Sequence, residues 1–244
     1  MASGPQSEQR RWIVTGASRG LGLAIAQVAA SNGDRVALVS RGNDIEASAN
    51  SIDGDTIGLA ADVSDPKEAN AVCKQVAERW GGIDVLVNNA GLHRGGLVSA
   101  LPQEDWQRVL DTNLSGPFNF VRAALPHMGK GGSIVNIGAV VGLRGFAGDA
   151  AYGASKAGLA GLTQVLAIEL ARQAIRVNLV IPGMISTDMT DNIPERAKTK
   201  LIDGIPLRRE GTPEELAEVV WWVAGSTYMT GSIIANDGGL MCKL

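Results

Sequence analysis

Apolar runs of strand length alternate with longer stretches of helical periodicity along almost the whole chain. The runs are Trp12 to Val14, Val36 to Val39, Thr56 to Ala60, Val85 to Val87, Ile134 to Ile137, Val177 to Ile181 and Ser232 to Ala235. Between them Leu21 to Ser31, Pro66 to Trp80, Gln103 to Met128, Tyr152 to Gln173 and Pro213 to Val223 read as helices. Strands that are apolar on both faces belong to parallel sheets covered by helices on each side. The pattern therefore predicts an α/β fold, a doubly wound parallel sheet of about seven strands with helices on both faces. Thr212 is the expected N-cap of the last helix, and Pro213 suits its first position. No internal repeat or low-complexity linker divides the chain, so one domain is expected over residues 11–244. The stretch from Ser186 to Pro206, polar and charged with a helical middle, is the expected mobile lid over a substrate site.

Composition narrows the function classes. A chain of 244 residues can bury one substantial core. A net charge of −3 and a pI near 5.5, with no run of lysine or arginine, argue against a nucleic-acid partner. Cys73 and Cys242 are unclustered, which gives neither a disulfide framework nor a metal site and fits a reducing cytoplasm. The opening MASGPQSEQRR has no apolar centre, and no later segment reaches the roughly 18 uninterrupted apolar residues of a membrane span. A soluble protein is expected, with residues 1 to about 10 mobile.

Tyr152 and Lys156, four apart in AYGASKAG, stack a phenol and an ammonium on one helix face. A nearby ammonium favours the phenolate, so the pair is expected to lower the tyrosine pKa and let it give or take a proton at a carbonyl. After the first strand comes TGASRGLG, where Gly16, Gly20 and Gly22 let the backbone turn sharply around a diphosphate and the next helix aims its free N–H groups at that anion. The same turn also fits a tight strand-to-helix connection. The second strand ends in Ser40 and Arg41, without the acidic residue that would hold a ribose 2′-hydroxyl. Arg19 and Arg41 then suit a 2′-phosphate, and NADP(H) is expected over NAD(H), although either arginine also fits a solvated surface charge. Asp62 and Val63, after the third strand, are placed to meet the adenine edge.

Together with NNAG at Asn88 to Gly91, Asn113 in DTNLSG and PG at Pro182 to Gly183, these motifs resemble the short-chain dehydrogenase/reductase family in order and register, from Trp12 to Leu240. The resemblance implies a Rossmann-type fold, hydride transfer through nicotinamide, and a homotetramer or homodimer. It implies that Tyr152 is the general acid or base, that Lys156 holds the nicotinamide ribose and tunes Tyr152, and that Asn113 supports a water in the proton relay. Ser18, Leu21, Asn88, Asn89, Ala90, Gly91, Pro182 and Gly183 would line the cofactor, with Ile185 and Thr187 at the carboxamide.

One position departs from the family pattern. Thirteen residues before the tyrosine the family carries a serine that donates to the substrate carbonyl, and here Ala139 stands there. Loss of one such donor typically costs about 100- to 1,000-fold in rate, so weak turnover is expected. Three explanations stay open: an engineered substitution, a substrate such as an imine that needs no such donor, and a paralogue that binds or senses NADP(H) without efficient turnover. Within the family NIGAVVG, PGMISTDMT, IPLRREGTPEE and DGG are similar to β-ketoacyl-carrier-protein reductases and related bacterial carbonyl reductases. That implies a ketone or 3-oxoacyl thioester substrate, with Lys130 and Arg172 as candidates to face an acidic acyl carrier protein. His93, Val141, Leu143, Met184 and Met189 are the expected substrate pocket, with no metal. Ala154, Ala157, Ala160 and Gly161 fit either a two-fold helix contact or packing on the chain's own sheet.

Overall fold

The computed structural model describes residues 9–42, 44–187 and 195–242. Seven parallel strands form one sheet in the order β3-β2-β1-β4-β5-β6-β7. They are β1 (Arg11–Thr15), β2 (Arg35–Ser40), β3 (Thr56–Ala60), β4 (Ile83–Asn88), β5 (Met128–Ile137), β6 (Arg176–Pro182) and β7 (Ile233–Asn236). The order reverses at β1, where β2 pairs on one side (Ile13 with Ala37) and β4 on the other (Ile13 with Leu86). Ligands of such sheets bind beyond the strands' carboxyl ends at this switch point.

Side chains alternate across the sheet because successive strand residues face opposite ways. Trp12, Val14, Val36, Leu38, Val85 and Val87 pack on one face under α1 (Gly20–Ser31) and the C-terminal helix. Ile13, Ala37, Val39 and Leu86 pack on the other face with α3 (Pro66–Trp80) and Phe120. A short helix that the apolar pattern did not single out, α2 (Ile45–Asn50), lies between β2 and β3.

The expected helix from Gln103 to Met128 is broken. It runs as α4 (Gln103–Leu110), a π turn over Asp111–Ser115 and α5 (Gly116–Ala124), and β5 already begins at Met128. The cause is local: Gly116 N–H reaches back five residues to the Asp111 carbonyl, and Pro117 has no N–H to continue the ordinary ladder. The next helix, α6 (Ala150–Leu170), carries Tyr152 and Lys156, and ends in a 3₁₀ turn over Ala171–Gln173. α7 (Glu195–Gly204) occupies the helical middle of the expected lid, whose residues 188–194 lie outside those described. α8 (Pro213–Gly225) starts at a full capping box, the Thr212 hydroxyl accepting from Glu215 N–H and the Glu215 carboxylate accepting from Thr212 N–H.

Residues 1–8 of the expected mobile segment also lie outside the described residues. Arg10, at the end of that segment, is anchored. Its backbone N–H and guanidinium donate to Asp34 at 2.9 Å, and its guanidinium stands over the Trp12 and Trp221 rings at 4.9 and 5.1 Å. Asp34 also accepts from Trp12 Nε1 at 2.8 Å, so the start of β1 is tied to the loop before β2 and to α8. Among the described residues no helix is long and apolar enough to cross a membrane.

Candidate active site

The loop after β1 is fastened to the loop after β4. Thr15 Oγ1 accepts from Asn89 and Ala90 N–H at 3.0 and 3.1 Å, and Asn89 Nδ2 donates to the carbonyls of Thr15 and Gly16 at 2.9 and 3.1 Å. The approach is so close that only glycine fits. A Cβ on Gly22 would stand 2.2 Å from the Gly16 carbonyl oxygen, and Gly16, at φ +66, would place one 2.7 Å from Ala90 Cα. Gly20 opens α1 with φ +55, and no side chain caps that helix from Arg19, so its first-turn amides keep capacity for an anion. Leu21 packs against the core, while the Ser18 carbonyl accepts from Ser48 Oγ at 3.0 Å and so joins the loop to α2.

At the end of β2 the Ser40 hydroxyl is buried without a hydrogen-bond partner, beside the exposed Arg41. An orphaned hydroxyl next to a guanidinium is the donor pair that a phosphate on the ribose would use. Arg41 lies 3.9 Å from Asp62 Oδ2. Burial works to raise the Asp62 carboxyl pKa, but hydrogen bonds from Ser64 and the charge of Arg41 outweigh it and hold the group below its usual value. Val63 is buried beneath Gly116, where an added Cβ would stand 2.8 Å from a Val63 methyl. The loop residues thus fit a 2′-phosphorylated dinucleotide.

The catalytic candidates converge around the first turns of α6. Lys156 Nζ is almost fully buried, donates to the Ile137 carbonyl at 2.7 Å and stands 5.7 Å from the Tyr152 ring centre. A Cβ on Gly91 would lie 4.0 Å from the same nitrogen, so the end of NNAG borders the pair. Asn113 sits in the π turn. Its Nδ2 donates to the Leu92 carbonyl at 2.9 Å and to Ser155 Oγ at 3.1 Å, and its Oδ1 accepts from Leu92 N–H at 2.7 Å. It therefore locks the β4 loop onto α6. Ala139 leads into a 3₁₀ turn at Val140–Gly142 that packs directly on α6, since a Cβ on Gly142 would stand 2.8 Å from Lys156 Cβ. Val141 borders Gly153 and Leu143 is exposed.

The expected lowering of the tyrosine pKa is reversed. Burial, and then the charge of Asp149, push the Tyr152 phenol up to about 12. Burial pushes the Lys156 ammonium down to about 8. The cause is that Lys156 directs its nitrogen to a carbonyl rather than to the phenol, so desolvation outweighs attraction across the pair.

His93 borders Tyr152, their rings meeting edge to face with centres 5.1 Å apart. Met184 lines, with Ile185, Ile205 and Leu207, a cavity to which Tyr152, Lys156 and His93 do not contribute. Ile185 is buried in the core, so only its backbone suits the expected carboxamide contact; its loop pairs with Gly211 through the Ser186 N–H. Thr187 lies near Gly20, with its methyl 3.7 Å from where a Cβ would stand there. Pro182 ends β6, and Gly183 is pressed against Asp237, which a Cβ would approach to 2.5 Å. Met189 lies outside the described residues. Lys130 and Arg172 are both exposed, near the N-terminal ends of β5 and β6, where Gly131 N–H meets the Ala174 carbonyl.

Sequence reasoning missed Asp149, which accepts from His93 Nε2 at 2.8 Å, and the anchoring roles of Thr15, Leu92 and Ser155. An acidic residue three positions before Tyr152 was the available signal for Asp149. Among the described residues no group of three or more His, Cys, Asp or Glu side chains gathers as a metal site.

A doubly wound sheet with a glycine-tight loop at its switch point, facing a buried lysine and a phenol, defines a dinucleotide-dependent α/β oxidoreductase. The chain belongs to the short-chain dehydrogenase/reductase family, as an NAD(P)-dependent reductase of it. A family profile described as Enoyl-(Acyl carrier protein) reductase matches residues 16–241. The chain is 41% identical over 237 residues to the 3-oxoacyl-(acyl-carrier-protein) reductase FabG of Thermotoga maritima, covering 94% of this chain and 96% of that one. It is 43% identical over 231 residues to carbonyl reductase family member 4 of Danio rerio, covering 93% and 96%. Among solved structures it resembles a blue fluorescent protein from a metagenomic library in complex with NADPH, at 34% identity and a TM-score of 0.90 over 95% of this chain and 97% of that one.

Proposed function

We propose that this protein reduces a ketone, in the form of a 3-oxoacyl thioester or another hydrophobic carbonyl, to a secondary alcohol at the expense of NADPH. The observation that carries the reading is the placement of Tyr152 and Lys156 on one helix face, bordered by Gly91, which belongs to the loop that Thr15 and Asn89 fasten to the glycine turn. The glycine loop, Ser40 and Arg41 would hold the dinucleotide, which supplies the hydride when bound. Tyr152 passes its phenolic proton to the carbonyl oxygen as the carbon is reduced, and Lys156 stabilises the resulting phenolate. A phenol held up at about 12 carries its proton at neutral pH, and the Lys156 ammonium is the cation nearest to take up the charge left when that proton is passed on. Asn113 holds the β4 loop and α6 in register, so the site is preorganised.

Ala139 supplies a methyl where the family resemblance implies a hydroxyl donor, and we infer that Tyr152 is then the lone donor to the oxyanion and turnover slow. NADPH consumption with a panel of 3-oxoacyl thioesters and cyclic ketones tests the reading. Activity should fall to background in Tyr152→Phe; unchanged activity there would refute the chemistry. The same Ala139 supports a second reading, a protein that binds NADP(H) without efficient turnover or that reduces an imine. Tight NADPH binding without ketone reduction in Ala139→Ser would favour it. We further infer a cytoplasmic protein that assembles as a homodimer or homotetramer through the outward face of α6.

A further inference from the structure

Asp149 occupies the position that caps α6, yet its side chain makes no capping bond to that helix. Aspartate is among the favoured capping residues, so a side chain that gives up that bond is held by another partner. The carboxylate goes instead to His93 Nε2 at 2.8 Å, across a separation of 56 residues. Backbone contacts fix both partners: the β4 loop is bridged to the α6 approach at Gly96 and Asp149, with Gly96 N–H donating to the Gly148 carbonyl at 2.7 Å. His93 then meets Tyr152 edge to face, within the range of favourable ring contacts. The carboxylate, the imidazole and the phenol form one connected group.

We propose that Asp149 and His93 are a positioning pair for Tyr152: the carboxylate orients the imidazole, and the imidazole steadies the phenol ring for proton transfer at the carbonyl, with the carboxylate as the charged neighbour the phenol feels. The proposal rests on the reductase reading above. A negative charge beside a phenol opposes formation of the phenolate that oxidation requires. The carboxylate also fixes which imidazole nitrogen carries the proton, since Nε2 must donate to it. Other charged groups on the flanking loops and on α6 make contacts of their own. Arg94 donates to the His93 carbonyl at 3.5 Å and lies 3.7 Å from Asp105 of α4; Lys156 is turned to the Ile137 carbonyl; Arg144 donates to the Met241 carbonyl.

The chain has two tyrosines, Tyr152 and Tyr228, and Tyr228 is fully exposed, so ring-labelled tyrosine gives two NMR signals with an internal reference. Tyr152→Phe assigns them. In Asp149→Asn the titration midpoint of Tyr152 should fall by about one unit while the Tyr228 signal stays in place, and the alkaline limb of alcohol oxidation should move down by the same amount. Asp149→Gln gives a second neutral side chain should the asparagine variant fold poorly. In His93→Ala the kcat for reduction should fall about tenfold, with NADPH affinity measured by fluorescence unchanged. A Tyr152 midpoint that stays put in both neutral variants, or full kcat in His93→Ala, overturns the proposal. The NMR midpoint does not depend on turnover. A moved midpoint together with full reductase activity in Tyr152→Phe would therefore uphold the charge effect, overturn the catalytic role built on it and sink the functional reading.

Discussion

Lys156 is an ammonium held away from solvent by Ile137, Gly142 and its own helix, and its folded pKa of about 8 lies below the 10.5 of a free lysine. The unfolded chain therefore binds more protons than the folded one between those values, so this group makes stability rise with pH across that window. The rise from pH 7 to pH 9.5 is on the order of 2 kcal/mol, taking 1.36 kcal/mol per unit. Urea melts of wild type and Lys156→Met at the two pH values should show it: the gain is present in the wild type and missing in the variant. Tyr152 acts oppositely and later, since a folded value of about 12 means stability falls with pH above about 10. On the proposed reading Ala139→Ser supplies a second donor to the oxyanion, and kcat for ketone reduction should rise by about 100-fold or more. Unchanged kcat would mean that no carbonyl oxygen sits beside position 139. Spacing drew attention to Tyr152 and Lys156, and the family resemblance to Ala139. The balance of charge was not legible, because it depends on how deep Lys156 lies and on Asp149 turning from its helix to His93, and neither depends on local sequence.

Elements position these residues, and their signals were unequal. Strands β1 to β7 could be read from apolar runs to within one or two residues at most ends, because apolar residues dominate each run, even in the edge strands β3 and β7, which are only partly buried. β5 was read six residues short, since its opening MGKGG is polar and glycine-rich while pairing with β4 begins at Met128. The break in the expected Gln103–Met128 helix was signalled by Pro117, but that the break is a π turn placing Asn113 between Leu92 and Ser155 follows from tertiary contacts. The start of α8 was readable because its cap is local chemistry. Thr212→Ala removes the hydroxyl that accepts from Glu215 N–H, at a cost of about 1 kcal/mol. Thermal unfolding of that variant should shift down by about 2–4 °C, with NADPH affinity unchanged. No shift would mean that α8 is held by its packing on α1 alone.

At the scale of the molecule, the sheet order brings β1 and β4 together, which is why motifs from Gly16 and from Asn89, distant in sequence, meet at one crevice. The outer surface of α6 poses a separate question. Of the small residues singled out in that helix, Ala160 is buried against the sheet, whereas Ala154, Ala157 and Gly161 face outward. The outward residues continue into Val165 and Ile168, which are 51% and 79% exposed, at steps of three and four that keep all five on one stripe. The stripe spans about 21 Å at 1.5 Å per residue, with small residues that admit close approach at one end and apolar ones at the other. A single chain gains nothing by exposing it, and an antiparallel copy related by a two-fold axis would set the small end of each helix against the apolar end of its partner. Light scattering and sedimentation of the wild type should therefore show a dimer or tetramer. Ile168→Asp places a charge at the stripe's most exposed apolar position and should shift the population toward monomer, with the NADPH site intact. A wild type that stays monomeric at micromolar concentration would remove the two-fold contact and leave the stripe without a partner copy.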